Sequence, residues 1–507
     1  MKIAVIGDLH LTDNPKSVKL RALDWALTEA ERQNADCIIG IGDLTATGTR
    51  KQTEFLFERI RKCRIPFFAT PGNAELRSGE NGEAAQTISV TDFPVVLADS
   101  SRDYPSDDAL DELKKLPDNA GFLLGTHCPP QYWKHGKEVF EEACKRNAVT
   151  GVIAGHVHDD RENCMRGLDP DKASGGPPMF SIFEQTADGF WQRHDLVMPG
   201  VDPADWSEDG RKSFLNLLGV ACLREPLETL KAAAEMRIPV VELRFGYPLE
   251  VTDDLMESIT CWRHSGGRIL SVHLPEIHPG NEASLEMFRK SVIFALTVNC
   301  DRVTVHVPRL ISIEYDNKRY QIINEYRSLL MPLIAKNITV GIENLHTSKG
   351  KTADDQRIFG CTIEECRDFI SALRESCGSD LIGFHLDIGH ARNNAPFSAV
   401  QNVSDYYNAE GLPINGFHFH QVAVREDGSF QNHAPIVGLY DKLISLSGYF
   451  IARRAGELPA EAPVILEINT PGGGIESYKR IKALFDIGRN IFDPEFTVSE
   501  GRKTHRR

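Results

Sequence analysis

Short apolar runs that end in polar residues recur along the first third of the chain. The first run, residues 1–6, leads through Gly7 to Asp8 and His10. Apolar runs of this length are typical of buried strands, and a glycine at the end lets the chain turn. Asp8 and His10 are two residues apart, so in extended backbone both side chains project to one side. A carboxylate and an imidazole placed in this way form half of a site for a divalent metal.

Four more apolar runs between residues 37 and 154 end in the same kind of polar residue. The side chains that follow these runs are those of Asp43, Asn73, Glu75, His127, His156 and His158. Any one of them could simply cap a strand, but five strand ends with such groups favour a metal centre. Helical patterns at residues 20–33 and 53–62 predict an α/β sandwich around mostly parallel strands. Residues 76–120 show little pattern and are expected to form a loop region that faces the substrate.

These residues resemble the calcineurin-like metallophosphoesterases over about residues 1–198, with the motifs D-x-H, G-D, G-N-H-[DE], H and G-H-x-H in the same order. The resemblance implies two divalent metals bridged by Asp43. The other ligands that it implies are Asp8, His10 and His158 for one ion, and Asn73, His127 and His156 for the other. Mixed oxygen and nitrogen ligands suit Mn, Zn or Fe, and such an ion pair activates a water for attack on phosphorus. The resemblance also gives Asp43, Asn73 and His127 catalytic roles.

The chain differs from the family's pattern at one position of the third motif. Ala74 stands where the family has a histidine that contacts the phosphate and helps to protonate the leaving group. Metal binding need not depend on that residue, but general acid catalysis worth roughly 10²–10⁴-fold would have to come from elsewhere. Glu75, His135 or a group of the second domain could supply it. Alternatively, the substrate has a good leaving group, or the domain has lost catalysis.

A different pattern begins at residue 214, where apolar runs alternate with helical patterns. The runs lie at residues 214–221, 239–245, 268–274, 302–307, 338–345, 381–388, 414–421 and 463–468. Thr362 and Glu365 open one of the helical patterns as a capping box. Eight βα units over residues 213–490 predict a (β/α)₈ TIM barrel. Residues 199–212 are rich in Pro, Gly and Asp and are predicted to be a linker, and residues 491–507 a basic tail.

Polar side chains end six consecutive strands of the predicted barrel. They are His273, His306, Glu343, Asp387 with His390, His418, and Glu467, and His433 lies in the loop after the seventh strand. Catalytic groups of barrels gather at the C-terminal ends of the strands, so these side chains should converge on one mouth. One such histidine would more often be a packed core residue, but six strands with metal-ligand groups favour a metal site.

This part of the chain resembles the xylose isomerase-like barrels, which include endonuclease IV and the sugar epimerases. The residues that match the four-ligand site of both branches are Glu343, Asp387, His418 and Glu467. Those that match further ligands of the endonuclease IV branch are His273 and His306, with His390 and His433 for its third metal. Gln431 replaces the carboxylate of that third site. The resemblance implies one or two divalent metals (Zn, Mn or Mg) and catalytic roles for Glu343 and Glu467, which would move protons.

Composition narrows the partners of the protein. The chain has 57 Lys and Arg against 72 Asp and Glu, a formal charge of −15, which disfavours a broad nucleic-acid surface. Its eleven cysteines are an odd number without C-x-x-C spacing, and no signal peptide precedes the first strand, so we expect a reduced, cytoplasmic protein. No apolar stretch approaches a membrane span, and no membrane partner is expected. The oligomeric state is not predicted.

Three functions are compatible with these patterns. The first is a dinuclear phosphoesterase, most simply a phosphodiesterase, that hydrolyses a small phosphate ester such as a sugar phosphodiester. Its barrel would act on the sugar or polyol part or recognise it. The second is a two-domain nuclease that acts on abasic sites in DNA repair, and the third is an active phosphoesterase with a non-catalytic barrel as a binding module. The acidic composition favours the first function over the second.

Overall fold

The fold is that of a computed structural model, which describes residues 1–487 except 81–86, 88–92, 173, 248, 348–350, 352, 394–400, 426–429 and 442. The basic tail predicted at residues 491–507 lies outside this range. Contacts divide the chain into two units. The first unit consists of Met1–Asp202 and Tyr440–Ile451, and the second of Pro203–Leu439 and the residues from Ala452 onward. The range predicted for the barrel, 213–490, thus includes a segment that the contacts assign to the first unit.

Two sheets form the first unit. The first sheet has the order β3-β2-β1-β7-β8 and contains β1 (Lys2–Ile6), β2 (Cys37–Ile41), β3 (Phe67–Thr70), β7 (Met179–Gln185) and β8 (Trp191–Val197). The second sheet is parallel and contains β4 (Val95–Ala98), β5 (Phe122–Thr126) and β6 (Val149–Ala154). The helices are α1 (Lys19–Arg32), α2 (Arg50–Ile60), α3 (Asp107–Lys115) and α4 (Lys137–Lys145).

The predicted α/β sandwich around mostly parallel strands is confirmed. Strands β1, β2 and β3 run parallel, and the antiparallel hairpin β7–β8 extends their sheet. Both sheets contribute to one apolar core, in which Ile39 of β2 and Leu123 of β5 are fully buried. Gly125 keeps the sheets close, because a Cβ atom there would lie 3.2 Å from Cδ1 of Ile39. The strand ends that carry the predicted ligands therefore meet at one edge of the sandwich.

Residues 76–120 are not only a loop region, as the sequence suggested. They contain β4 and α3, and the side chain of Ser106 caps α3 by accepting a hydrogen bond from the Ala109 amide. Only Ala109 and Leu113 are buried among the nine residues of α3. This apolar stripe is too narrow to give a clear helical signal in the sequence.

The second unit contains a closed parallel barrel, as predicted. Its strands, in the order that closes the barrel, are β9 (Leu218–Cys222), β10 (Val240–Leu243), β11 (Ile269–His273), β12 (Arg302–His306), β13 (Thr339–Glu343), β14 (Ile382–Asp387), β15 (Ile414–Phe419) and β18 (Val464–Leu466). Between β15 and β18 lies the hairpin of β16 (Gln421–Val424) and β17 (Phe430–Ala434). The remaining helices are α5 (Glu208–Leu215), α6 (Pro226–Glu235), α7 (Asp253–His264), α8 (Glu282–Thr297), α9 (Ser312–Ile334), α10 (Ile363–Cys377), α11 (Ile388–Asn393), α12 (Val403–Tyr406), α13 (Ser447–Arg454) and α14 (Gly473–Ile487).

The first barrel strand is shorter than predicted. Residues 214–221 were expected to form it, but Phe214 and Leu215 belong to α5 and the strand is Leu218–Cys222. Helix α5 begins after Ser207, whose side chain accepts a hydrogen bond from the Gly210 amide. Phe214 stacks on Phe485 with ring centroids 4.4 Å apart, so its apolar side chain serves a helix contact. Helix α5 and a 3₁₀ turn at Pro203–Asp205 also occupy part of the predicted linker, residues 199–212.

Strand register brings several predicted ligands of the barrel side by side. His306 at the end of β12 pairs with Glu343 at the end of β13, and Asp387 of β14 pairs with His418 of β15. Neighbouring parallel strands therefore present their ligands at the same height of the barrel. Among the described residues, no helix combines the length and the apolar character needed to cross a bilayer.

Candidate metal centres

Five predicted ligands of the first unit adopt positive φ angles, which side chains rarely tolerate. The angles are 47° at Asp8, 49° at His10, 49° at Asp43, 70° at His156 and 52° at His158. These residues follow β1, β2 and β6, where the chain turns sharply away from the sheet. Left-handed backbone at non-glycine residues costs energy and concentrates at functional sites. Its presence at five predicted ligands makes this edge of the sandwich the candidate site of the first unit.

Asp43 presents its two carboxylate oxygens to two different histidines. His10 Nε2 lies 3.1 Å from Asp43 Oδ2, and His127 Nε2 lies 3.5 Å from Asp43 Oδ1. The Ala74 amide donates to Oδ1 at 2.7 Å and fixes the carboxylate. Oxygen and nitrogen donors of Asp8, Asp43 and His127 all lie within 4.8 Å of one another. A carboxylate placed in this way is suited to bridge two ions.

The side chains of Asn73, His127 and His156 form a second group of possible metal ligands. Asn73 Oδ1 lies 3.1 Å from His127 Nε2 and 3.1 Å from His156 Nδ1, and the two ring nitrogens are 3.2 Å apart. Adjacent ligands of one ion with bonds of about 2.0–2.2 Å are about 2.9–3.5 Å apart, so these distances fit one coordination sphere. The opposite orientation of the Asn73 amide would donate to both rings and accept from Arg77 Nη2 at 3.0 Å. Only the orientation with Oδ1 toward the rings offers a ligand to a metal.

Asp8 and His158 complete the first-unit group at slightly longer distances. Both oxygens of Asp8 accept the backbone N–H of His156 at 3.0 Å. His158 Nε2 lies 3.8 Å from Asp8 Oδ1, and the ring of His158 stacks on that of His10 with centroids 5.2 Å apart. The structure therefore brings all seven predicted ligands of the first unit together.

The second nitrogen of each central histidine faces an acceptor. His127 Nδ1 lies 3.1 Å from the carbonyl oxygen of Ile41, and His10 Nδ1 lies 3.1 Å from Asp169 Oδ2. A ring nitrogen that donates to a carbonyl oxygen carries the proton, so Nε2 of His127 presents a lone pair. That lone pair faces the oxygens of Asp43 and Asn73. A nitrogen lone pair that faces such oxygens suits a divalent cation between them.

Asp169 and Lys19 were missed by the sequence analysis. Both side chains are completely buried, and Lys19 Nζ lies 2.8 Å from Asp169 Oδ1 while Asp169 Oδ2 faces His10. The pair therefore lies behind His10, on the side of its ring away from Asp43. Asp169 lies in a segment without periodicity, which the sequence showed only as a loop, and Lys19 begins an amphipathic helix. Neither position gives a signal that separates it from ordinary surface charges.

Glu75, one candidate for the general acid that Ala74 lacks, is engaged by the backbone. Its carboxylate is buried and accepts hydrogen bonds from the amides of Asp43 and Gly72 at 2.8 Å, and of Thr45 at 2.7 Å. These bonds tie the loop after β2 to the loop after β3. His135, the other candidate in this unit, is exposed, with its ring centroid 4.2 Å from that of Tyr104.

The carboxylates of the first unit differ in charge. Burial alone would raise the pKa of Asp43, but His127 and His10 hold that pKa well below its usual range. Burial, with the charge of Asp43 nearby, raises the pKa of Asp8 to about 7. Although burial opposes its cationic form, Asp43 and Asp8 raise the pKa of His127. The site thus concentrates negative charge around an ionised Asp43 and attracts cations.

His418 lies at the centre of the four-ligand group of the barrel. Its Nδ1 is 3.2 Å from Glu343 Oε1 and 3.3 Å from Glu467 Oε2, and its Nε2 is 2.8 Å from Glu242 Oε1. Donor atoms of Glu343, Asp387, His418 and Glu467 lie within 4.8 Å of one another, and all four residues are buried. Burial opposes the cationic form of His418, but Glu242 and Glu343 raise its pKa to about 10. The imidazole of His418 is therefore protonated near pH 7 in the metal-free protein.

A second group of the barrel shares Glu343. His273 Nε2 lies 3.0 Å, and His306 Nε2 3.3 Å, from Glu343 Oε2, the oxygen that does not face His418. His273 Nδ1 lies 2.9 Å from the carbonyl oxygen of Leu274, which leaves Nε2 as a lone pair. Burial and the charge of Arg244 lower the pKa of His273 to about 4, so it stays neutral near pH 7. A neutral imidazole that faces a carboxylate fits a metal ion between them.

His390 and His433 meet near a third histidine. Their Nδ1 atoms lie 3.0 Å from the Asn344 carbonyl oxygen and 3.2 Å from the Glu467 carbonyl oxygen. His420, which was not among the predicted ligands, joins them in one group of possible donors. Its Nε2 also lies 3.0 Å from Asp387 Oδ1, so His420 orients a ligand of the four-residue group.

Glu242 and Arg244 are the most important barrel residues that the sequence analysis missed. Glu242 is completely buried and accepts hydrogen bonds from Ser271 Oγ at 2.7 Å and Thr304 Oγ1 at 2.8 Å, while it holds His418. Arg244 follows β10 and forms an ion pair with Glu467. A signal for Glu242 existed, since a carboxylate inside the apolar run 239–245 is unusual in a buried strand.

Comparison with known proteins agrees with both parts of the structure. Residues 1–160 match the family model described as calcineurin-like phosphoesterase, and residues 229–446 match that of the xylose isomerase-like TIM barrel. No curated protein was found to match the sequence. The first match supports a metal-dependent hydrolase, and both families typically bind divalent metals.

Solved structures that resemble about half of the chain include the following three. A D-tagatose 3-epimerase-like protein is 18% identical with a TM-score of 0.36, and covers 54% of this chain and 97% of its own. Endonuclease IV from Thermus thermophilus is 13% identical with a TM-score of 0.38, with coverages of 53% and 99%. D-psicose 3-epimerase with D-tagatose from Clostridium cellulolyticum is 11% identical with a TM-score of 0.35, with coverages of 54% and 98%.

The order of the two family matches along the chain is the order of the two units that carry the ligand groups. The chain is therefore a fusion of a calcineurin-like phosphoesterase domain with a xylose isomerase-like TIM barrel that follows it.

Proposed function

We propose that the first unit is a dinuclear metal phosphodiesterase that hydrolyses a small phosphate ester. The observation that carries this proposal is the position of Asp43, whose two oxygens face ring nitrogens of two different histidines. His10 and Asp8 with His158 would hold one ion, and Asn73, His127 and His156 the other. When bound, such ions clamp a phosphoryl oxygen and lower the pKa of a water between them.

The chain's own residues would keep this centre rigid while the phosphorus is attacked. The Ala74 amide holds Asp43, Asp169 holds His10, and the Ile41 carbonyl holds His127. Glu75, the carboxylate next to Ala74 in the chain, is engaged by backbone amides. The proposed substrates therefore have leaving groups that depart without strong acid assistance.

We propose that the barrel binds one or two divalent ions (Zn, Mn or Mg) and acts on the sugar or polyol part of the substrate, or recognises it. Four ligands around one ion leave positions open for substrate oxygens, while Glu343 and Glu467 could move protons. Arg244 supports a phosphorylated substrate, since its side chain is 26% exposed beside Glu467 and could meet an anionic group. A cytoplasmic location fits the eleven free thiols.

A nuclease that acts on abasic sites is the second candidate. The observation in its favour is Glu343, which faces His418 with one oxygen and His273 and His306 with the other, as a bridge between two ions would. Phosphoryl transfer is the usual chemistry of such paired ions. The formal charge of −15 disfavours it. Incision of duplex DNA with abasic sites, together with three tightly bound ions in the barrel, would favour this candidate.

The decisive test of the first unit is Asp43→Asn in the full-length protein, assayed on bis-p-nitrophenyl phosphate. We expect hydrolysis to fall by at least about 10²–10³-fold, the scale of losing one pre-organised charge, and the metal content to fall with it. Asp111→Asn is the matched control, since Asp111 is exposed on α3 and pairs only with a surface lysine. Full hydrolysis by Asp43→Asn would refute the proposal.

A further inference from the structure

One segment of the C-terminal half of the chain belongs to the first unit. Tyr440–Ile451 follows β17 and precedes β18 of the barrel, but its contacts place it with Met1–Asp202. Most of its side chains are buried, among them Leu446, Tyr449 and Phe450. A phosphoesterase unit that ended at residue 202 would therefore lack part of its own packing.

This segment is hydrogen-bonded to the loop that contains Asp169. The Ser445 amide donates to the carbonyl oxygen of Asp171 at 2.9 Å, and the Gly448 amide donates to that of Pro170 at 3.3 Å. Ser445 is 3% exposed, so water competes little for the first bond. The two carbonyl groups are those of the residues that directly follow Asp169.

The same loop reaches the metal ligands. The amide of Leu168 donates to the Gly7 carbonyl oxygen at 3.0 Å, and the amide of Asp169 to the Asp8 carbonyl oxygen at 2.7 Å. The Asp169 side chain lies 3.1 Å from His10 Nδ1. Residues 168–171 therefore lie between the ligand-bearing turn after β1 on one side and the Tyr440–Ile451 segment on the other.

We propose that Tyr440–Ile451 positions His10 by fixing residues 168–171, so that the phosphoesterase metal centre is complete only with a segment from the C-terminal half of the chain. The expected effect on metal binding rests on the proposed function of the first unit. The expected effect on the order of residues 168–171 is independent of any activity. Ser445 and Gly448 are then positioning residues that act through Asp169, and they touch neither metal nor substrate.

The test uses the full-length protein with Ser445→Pro, which removes the amide that donates to Asp171. Ser445→Ala is the matched control, because it keeps that amide and loses only the hydroxyl. In metal-free protein we expect faster hydrogen exchange in peptides that cover residues 168–171 for the proline variant alone. Peptides of barrel strand β9 should exchange as in the wild type, which shows that the barrel is intact.

The second readout is Mn²⁺ binding, measured by equilibrium dialysis. The ions of the first unit are defined as those that the wild type binds and Asp43→Asn does not. The proline variant should bind them at least about threefold more weakly, less than the about 10–100-fold expected of a direct outer partner such as Asp169. If exchange is faster in Ser445→Pro but Asp43→Asn binds as many ions as the wild type, the positioning role is supported and the dinuclear proposal is refuted. Unchanged exchange and unchanged Mn²⁺ binding would overturn the inference.

Gly448→Pro is the milder second variant if Ser445→Pro does not fold. Gly448 is the second residue of α13, a position where proline is tolerated because the first-turn amides have no partner within the helix. It removes only the donor to Pro170. We expect the same direction of change with a smaller size, and exchange at residues 168–171 equal to the wild type would again contradict the positioning role.

Discussion

The two candidate metal centres of this chain use similar side chains on very different supports. In the first unit, Asp8, His10 and Asp43 lie in turns after strands and have left-handed backbone. In the barrel, His306, Glu343 and most other ligands end regular strands, and the strand register aligns them. A barrel therefore places ligands through its sheet, whereas the sandwich places them through strained loops that other contacts must hold.

The groups that orient the ligands follow the same division. Glu242, which holds His418, is a residue of the barrel wall and is fixed by Ser271 and Thr304 on the next two strands, β11 and β12. Asp169, which holds His10, comes from a loop and depends on Lys19. We conclude that strands of the barrel hold the candidate site of the second unit, whereas several segments distant in sequence hold that of the first unit.

The strongest test of this comparison is a reciprocal pair of substitutions at the two central carboxylates. Asp43→Asn should abolish phosphodiester hydrolysis, by at least about 10²–10³-fold, without loss of barrel ions. Glu343 is shared by two groups of candidate ligands, so Glu343→Gln should remove ions from the barrel. Hydrolysis of bis-p-nitrophenyl phosphate by this variant should stay within about twofold of the wild-type rate. Metal content and rates measured on both variants check this. A loss of hydrolysis in Glu343→Gln would show that the barrel centre takes part in this reaction.

The next effect concerns the missing acid of the first centre. Ala74 offers no proton and Glu75 is held by backbone amides, so ester cleavage should depend on the leaving group. We expect kcat/KM for aryl phosphodiesters to exceed that for matched alkyl diesters by at least about 10²-fold. A series of diesters with leaving groups of graded pKa measures the slope. A flat series would identify an acid that the geometry does not reveal.

A smaller effect compares the two orienting carboxylates directly. Asp169→Asn should weaken Mn²⁺ binding in the first unit by about 10–100-fold, because His10 loses the partner that fixes its ring. Glu242→Gln should weaken barrel binding less, since Ser271, Thr304 and the strands still hold the site. Dialysis of both variants against Mn²⁺ gives the two ratios. Equal losses would contradict the difference in support.

The last effect is a pH dependence of the stability of the metal-free barrel, measured without metal or substrate. The folded-state pKa of His418 is about 10, above its usual value, so its stabilising contribution is complete below about pH 6.5 and is lost as the pH rises through 10. Between those limits the slope is at most about 1.4 kcal/mol per pH unit. Thermal unfolding of chelator-treated protein should show this loss, and His418→Gln should show a flatter dependence. Identical slopes in both proteins would rule out the protonated His418.

Much of the fold could be predicted from the sequence, because buried strands and helices have characteristic patterns of apolar residues. Buried parallel strands are apolar runs, and the eight runs from residue 214 onward correspond to the eight barrel strands. Helix α3 and strand β4 escaped prediction because only two residues of α3 are buried and β4 has four residues. Phe214 was misassigned because an apolar residue that packs in a helix contact looks the same as one in a strand.

The candidate ligands could also be predicted from the sequence. Asp8, Asp43 and His127, like Glu343 and His418, follow or end apolar runs, and the chemistry of metal binding restricts which side chains can serve there. The direction of parallel strands then requires that such ends meet, so the two ligand groups follow from local pattern alone.

Only the tertiary structure decided what holds the ligands in place. His10 and Asp169 are 159 positions apart, and Glu242 and His418 are 176 positions apart. Tyr440–Ile451 lies within the predicted barrel in sequence but packs with the first unit. A local pattern records whether a residue is buried, since burial follows the period of its own helix or strand. It does not record the partner of a buried charge, which is set when distant segments close around one another.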